Sequence, residues 1–153
     1  MEKITYRKAL LEDLPILYDF EQGIITAERP FDPTLKPGHI NYYDLKQKIL
    51  EDTSAVIVGV CGAELVCSGY ASIRTPKPYL DFDRYAYMGF MFVRPKYRGR
   101  GAIKGLIAAL EQWALSQNIK EVRLEVYDNN AAALRAYEKA GFKRHMVEMR
   151  RRI

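Results

Sequence analysis

An uncharged run, Tyr85-Ala86-Tyr87-Met88-Gly89-Phe90-Met91-Phe92-Val93, leads through Arg94-Pro95-Lys96-Tyr97 into Arg98-Gly99-Arg100-Gly101. Ile103, Leu106, Ile107, Leu110 and Ala114 then recur at helical spacing. The first run is apolar on both faces, as a strand inside a covered sheet must be. The second has one apolar stripe, as a helix packed on such a sheet must have. After it, Val122, Leu124 and Val126 alternate with Arg123, Glu125 and Tyr127, which is strand periodicity. Two strands joined through a helix of this length are parallel, with a right-handed crossover. The stretch 85–127 therefore commits the chain to an α/β sheet with a helix across it.

The joint between the strand and the helix has a chemistry of its own. Gly99 and Gly101 can take positive φ and bring main-chain N–H groups close to a bound group. The first turn of the helix carries N–H donors without intrahelical partners, and the macrodipole adds positive character there. Arg98, Arg100 and Lys104 add full charges. The combination can cradle a phosphate or pyrophosphate. Taken alone it is equally a glycine-rich turn with solvated arginines. No Gly-Lys-Ser/Thr follows, and the spacing is not Gly-x-Gly-x-x-Gly, so neither nucleotide fingerprint is matched.

The chain has 153 residues, 48% of them hydrophobic, enough for one domain with a sizeable core over 1–153. No apolar run is long enough to span a bilayer, and the first residues lack the apolar stretch of a signal peptide. No membrane association is expected, and a cytoplasmic location follows by default. Cys61 and Cys67 flank a hairpin turn and are expected to be buried and reduced. No Cys/His cluster has metal-ligand spacing, so no metal is expected. The net charge of +5 suits nucleic acid or an anionic small molecule. The basic residues gather at 94–104 and 143–152 without an aromatic platform between them, so nucleic acid ranks last. The C-terminal arginines read as a solvated end.

The remaining elements follow from pattern. Residues 3–8 read as a strand. A helix starting at Glu12-Asp13-Leu14-Pro15 runs to about 25. Residues 26–40 hold Pro30, Pro33, Pro37 and Gly38 and read as a stiff loop, decorated by Glu28, Arg29, Asp32 and His39. A short helix is expected near 42–51. Strands at 54–60 and 65–74 form a hairpin, with Gly69 a candidate bulge, and Gly89 marks a bulge or close approach in the strand 85–93. Asn130 caps a helix over 131–140, which Gly141 stops. A last strand is expected over 144–152. The order is β-α-α-β-β-β-α-β-α-β, a mixed and mostly antiparallel sheet flanked by helices.

Arg98-Gly99-Arg100-Gly101-Ala102-Ile103 resembles the acyl-CoA signature of the GNAT superfamily of N-acetyltransferases, Gln/Arg-x-x-Gly-x-Gly/Ala. Ile103 stands where that family prefers Gly or Ala. Main-chain donation needs no particular side chain there. Asn130-Ala131-Ala132-Ala133-Leu134-Arg135-Ala136-Tyr137-Glu138-Lys139-Ala140-Gly141-Phe142 is similar to the family's Asn…Leu-Tyr-Glu-Lys-x-Gly-Phe helix, with Ala136 in place of the usual Leu. The resemblance covers the C-terminal two-thirds by motif and the first fifty residues by pattern.

The resemblance implies a fold in which the two parallel strands splay apart and admit acetyl-CoA as co-substrate. It implies acyl transfer, most simply acetyl, from the thioester to a primary amine by direct attack. Main-chain groups of residues 99–104, including Ala102 and Ile103, would hold the pyrophosphate. Those of Met91, Phe92 and Val93 would pair with the pantetheine arm like an added strand, and Asn130 would touch its side. Tyr137 would protonate the departing thiolate. In a related set of enzymes that acetylate ribosomal proteins, the glutamate matching Glu125 is the proposed proton acceptor. Glu125 serves equally as an ion-pair partner on the sheet, Glu28 competes for the role, and a water chain can replace both. Glu28, Arg29 and His39 are candidate contacts to the acceptor, an amine-bearing small molecule or peptide. Tyr85 and Tyr87 line the acceptor pocket or belong to the core. A domain that binds acyl-CoA without turnover is the alternative, and a homodimer is left open.

Overall fold

The computed structural model describes residues 2–153. Strand β1 (Thr5–Lys8) leads through a short turn into helix α1 (Leu14–Glu28). Helix α2 (Leu45–Leu50) precedes the antiparallel strands β2 (Ser54–Cys61), β3 (Glu64–Arg74) and β4 (Tyr85–Val93). Helix α3 (Ala102–Ser116) crosses to β5 (Val122–Arg123), and α4 (Ala131–Lys139) follows. The sheet runs β1-β2-β3-β4-β5, antiparallel except for the parallel β4/β5 pair. This is the mixed architecture expected from the pattern.

Both faces of the sheet are covered. On β2, Ala55 and Ile57 enter the layer under α3, while Val56 and Val58 enter the layer under α1. Alternate residues of one strand thus feed two cores. From α3, Leu106, Leu110, Trp113 and Ala114 meet the first layer, and from α1, Leu17, Phe20 and Ile24 meet the second. At the head of α1, the Asp13 carboxylate takes both guanidinium nitrogens of Arg7, at 2.8 and 3.1 Å, and the Leu10 N–H at 2.7 Å.

Helix α1 extends through Glu28, three residues beyond its expected end. Glu28 is therefore a helix residue, not a loop residue, and the proline-rich connection begins after it. The apolar period runs out at Ile25, but after Pro15 in the first turn the next proline is Pro30, so nothing breaks the backbone earlier.

Two strand expectations are corrected. Pairing of the 121–127 segment is confined to Val122–Arg123, and no strand forms over 144–152. Alternation in Leu124 to Tyr127 is real, but a strand also needs a hydrogen-bonding neighbour. The terminal residues find none, and Met146 and Met149 are 81% and 89% exposed. The cysteines do not face each other: Cys67 stands opposite Gly59, and Cys61 opposite Glu64. Both are free thiols.

Strand β4 carries the irregularity that positions the site. Tyr70 pairs with Gly89 and Ser68 with Phe92, so Phe90 and Met91 together oppose Gly69. That count defines a bulge, placed on β4 directly after Gly89. Phe90 has φ +59, uncommon for an aromatic residue. The side-chain alternation slips there. Met88 enters the α3 layer, Phe90 the α1 layer, and Met91 the α3 layer again. The Phe90 ring is 1% exposed, and its carbonyl accepts from Ser68 Oγ at 3.2 Å. Packing and that bond offset the strain.

Candidate active site

Strands β4 and β5 are joined only at Ala86↔Val122 and Tyr87↔Arg123, with Ala86 N–H donating to Glu121 O at 2.9 Å. Beyond that point the strands part. The β5-facing edge of β4 from Met88 to Val93 has no strand partner among the described residues. An unpaired edge is a row of N–H and C=O groups ready to bond an extended ligand. Met91, Phe92 and Val93 lie on this edge, after the bulge.

The edge runs into the glycine turn. Gly99 and Gly101 have φ +76 and +77, and a Cβ on either would meet nothing within 4 Å. Glycine is needed there for the backbone, not for room. Gly101 caps α3, and the first bond of that helix is Gly105 N–H to Gly101 O at 3.1 Å. The N–H groups of Ala102, Ile103 and Lys104 are thereby left at the helix head without backbone partners among the described residues. Ile103 turns its side chain into the α3 layer. The departure from Gly or Ala at that position therefore adds its bulk to the core side of α3.

The cations near the turn divide into two sets. Glu64 holds Lys96 at 2.9 Å and Arg94 at 3.7 Å, and it accepts from the Tyr97 hydroxyl at 2.8 Å. Those bonds, from Lys96 first and Tyr97 next, hold the Glu64 carboxyl below the usual carboxylate range. Arg98 reaches only the Val93 carbonyl, at 3.1 Å. Arg100 and Lys104 have no carboxylate partner among the described residues. Arg98, Arg100 and Lys104 are thus the free charges of the cradle.

Helix α4 follows β5 in the chain. Asn130 caps it, its Oδ1 accepting from Ala133 N–H at 3.2 Å. The other end is closed by Gly141 N–H to Glu138 O and Phe142 N–H to Tyr137 O, both 3.0 Å, with Gly141 at φ +97. This is the Schellman arrangement. It fixes Phe142 edge-on to Tyr137, ring centroids 6.1 Å apart. Burial, and secondarily the Glu28 charge, push the Tyr137 phenol up to about 12. Tyr137 is therefore a protonated donor at neutral pH.

The two candidate carboxylates have different surroundings. Glu125 is exposed. Its charge, after burial, raises the Tyr87 hydroxyl above its ordinary range. The Arg74 guanidinium lies 3.7 Å from the centroid of the Tyr87 ring. Glu28 is half-buried, and burial raises its pKa, with the Tyr42 hydroxyl opposing and the Asp32 charge adding. Its charge reaches the hydroxyls of Tyr42, Tyr43, Tyr127 and Tyr137. Of the two, Glu28 is the carboxylate that Tyr137 senses.

The loop after α1 is tied down by its own residues. Arg29 donates to the carbonyls of Lys36 and Gly38, at 2.9 and 2.6 Å. Asp32 accepts from Thr34 N–H at 2.9 Å and from the Tyr127 hydroxyl at 2.8 Å. Arg150 donates to Thr34 Oγ1 at 3.0 Å and lies 3.6 Å from Asp32. His39 is exposed. Glu21, 1% exposed, accepts the N–H groups of Tyr42 and Tyr43, both at 2.9 Å. Sequence reasoning missed these three residues. The available signal was an acid at position 21, within the apolar stripe Leu17, Phe20, Ile24 of α1.

A cavity of about 330 Å³, lined in part by Lys8, Asp52, Ser54 and Trp113, opens by the start of β2. It lies at the joined end of the sheet and shares no residue with the gap.

The family model described as the acetyltransferase (GNAT) family matches residues 22–142. The chain belongs to the GNAT acetyltransferase family. Acetyltransferase SG1711 of Sodalis glossinidius (strain morsitans) is 31% identical over 124 residues, 79% of this chain and 78% of that protein. The GNAT fold recurs in a predicted acetyltransferase with acetyl-CoA from Clostridium acetobutylicum. That structure has a TM-score of 0.73 at 18% identity, covering 97% of this chain and 96% of that one. A mutant of the BH1408 protein of Bacillus halodurans superposes at 0.87 and 17% identity, covering 97% and 99%. An aminoglycoside N-acetyltransferase in complex with CoA gives 0.73 at 18% identity, covering 97% and 100%.

In this GNAT chain the unpartnered N–H groups at the head of α3, the cations Arg98, Arg100 and Lys104, and the open edge of β4 follow one another along the chain. Among the described residues, no group of three or more His, Cys, Asp or Glu side chains is arranged to hold a metal ion.

Proposed function

We propose that this chain, as one domain over 1–153, transfers an acyl group, most simply acetyl, from acetyl-CoA to a primary amine by direct attack. The observation that carries this reading is the open β4 edge running straight into the unpartnered head of α3. In that reading, main-chain groups of Met91, Phe92 and Val93 hold the pantetheine arm in register. The N–H groups of residues 99–104 bind the pyrophosphate, and Arg98, Arg100 and Lys104 raise the local anion affinity. Asn130 flanks the arm while capping α4.

The chemistry then needs little from the protein. Holding amine and thioester in line supplies much of the acceleration. Tyr137 protonates the departing sulfur, since its phenol keeps its proton at neutral pH. A carboxylate collects the amine's proton. Glu28 suits this better than Glu125, because it is half-buried and its charge reaches Tyr137. Arg29 acts through the shape of the loop, and His39 on its surface is available to the acceptor. The acceptor is an amine-bearing small molecule or peptide.

Titration calorimetry with acetyl-CoA should show binding that weakens as salt rises. Free thiol release over a panel of amines should then reveal turnover. Binding without thiol release from any amine would leave a coenzyme-holding domain without catalysis. Absence of binding would end the proposal.

A further inference from the structure

Tyr70, Ser72 and Arg74 alternate along β3, and Tyr85 and Tyr87 along β4, with Ser72 opposite Tyr87 and Arg74 opposite Tyr85. These side chains therefore share one face of the sheet, the face that carries Val56 and Val58. Three cations lie on its rings. Lys48 Nζ is 4.2 Å from the centroid of Tyr70, the Arg74 guanidinium carbon 3.7 Å from that of Tyr87, and the Arg123 guanidinium carbon 5.3 Å from that of Tyr85. Arg123 is neutralised by Glu121 at 3.0 Å. Lys48 and Arg74 have no carboxylate within 4.0 Å among the described residues.

The two unpaired cations are neighbours. Lys48 Nζ donates to Ser72 Oγ at 3.2 Å, and Ser72 Oγ shares a second bond with Ser54 Oγ at 2.7 Å. Ser72 is the residue next to Arg74 on this face, about 7 Å along the strand. Arg74 is exposed and Lys48 half-buried. The Tyr87 ring covers the flat side of the guanidinium and leaves its N–H edge to a bidentate acceptor. Tyr87 is also where β4 parts from β5, and Met91 on the open edge lies about 10 Å further along the strand.

We propose that Arg74, with Lys48 as a second charge, is an anion subsite for the acceptor, so that the accepted amine also carries a carboxylate. This rests on the acyl-transfer reading above. The carboxylate takes the guanidinium edge, and the chain behind it runs along β4 toward the open edge, where its amine meets the thioester. A second amine in place of the acid meets like charge and is rejected.

Thiol release from acetyl-CoA with 6-aminohexanoate, hexylamine and 1,6-diaminohexane compares one chain ending in an acid, a methyl group and an amine. The acid should be preferred about tenfold or more in kcat/KM. Arg74→Ala should abolish that preference by raising KM for the acid, with acetyl-CoA affinity unchanged. Arg74→Lys should restore part of it, and Arg74→Glu should favour the diamine. Equal use of the three amines, or an acid preference that survives in Arg74→Ala, would overturn the subsite and leave acyl transfer intact. No thiol release over a wide panel of amines would instead count against acyl transfer. Where none of the three is a substrate, binding decides. Titration with 6-aminohexanoate should move the nitrogen-15 resonance of Arg74 Nε and hexylamine should not, and an unmoved resonance would overturn the subsite.

Discussion

Replacing Tyr137 by Phe removes one hydroxyl and leaves the ring against Phe142. If the phenol protonates the thiolate, turnover should drop by about 10²–10⁴-fold with acetyl-CoA affinity nearly constant. Full turnover under chemistry-limited conditions would take Tyr137 out of the mechanism. Glu28→Gln and Glu125→Gln separate the two carboxylates. The first should reshape the acidic limb of the pH–rate profile, and the second should leave its shape alone. The reverse pattern would return the base to Glu125. Asp13 offers a stability test. The Arg7 hydrogen bonds hold its carboxyl below the ordinary range. Its contribution is therefore complete above about pH 4 and is lost as pH falls through the depressed value. Asp13→Asn should cost about 1–2 kcal/mol at neutral pH, discounted for the 40% exposure of Arg7, and the gap to wild type should close in acid. A gap that persists unchanged into acid would assign the loss to something other than charge. At this scale the sequence was uneven. Tyr137, Asn130 and the two turn glycines stood in recognisable motifs. Tyr42 and Glu21 did not, because their meaning comes from a contact between residues 21 apart, which local pattern cannot carry.

At the scale of elements, the turn before α3 is the most exposed to test. A β-branched side chain resists φ +77, so Gly101→Val should distort the helix head and lower acetyl-CoA affinity at least tenfold. Arg98→Ala and Lys104→Ala should weaken binding modestly and flatten its salt dependence. Unaltered affinity in Gly101→Val would mean that the N–H groups at this head do not hold the coenzyme. The helices and the three antiparallel strands were legible because their periodicity reports which side is buried. The segment 124–127 was not, because alternation describes the backbone's preference while the splay decides whether a neighbour is present. Residues 144–152 failed for the same reason.

For the molecule as a whole, the loop after α1 is held by pieces distant in sequence. Asp32 on the loop, Tyr127 beyond β5 and Arg150 in the C-terminal segment meet in one cluster, with Phe31 stacked on Tyr127 at 6.3 Å. The C-terminal arginines are thus not uniformly solvated. Arg150 is 57% exposed on its side chain, so the contribution of its ion pair is weak and screened by solvent. That is small against unfolding and large enough to bias a loop. Arg150→Ala should speed amide exchange over 30–40 and leave β2 and β3 unchanged, and high salt should reproduce the effect in wild type. Equal exchange in both proteins would make the C-terminal segment a bystander.

The parted strands also bear on how this protein behaves in concentrated solution. A sheet with a strand's width left open can capture a strand from another molecule, the usual beginning of precipitation. Here the kink at Phe90 divides the open edge into two short runs, Met88–Gly89 and Met91–Val93, and turns one relative to the other. Neither is long enough to anneal to a neighbouring chain for more than a few bonds. The bulge that breaks the alternation of β4 thus also shortens the run that a second copy could pair with.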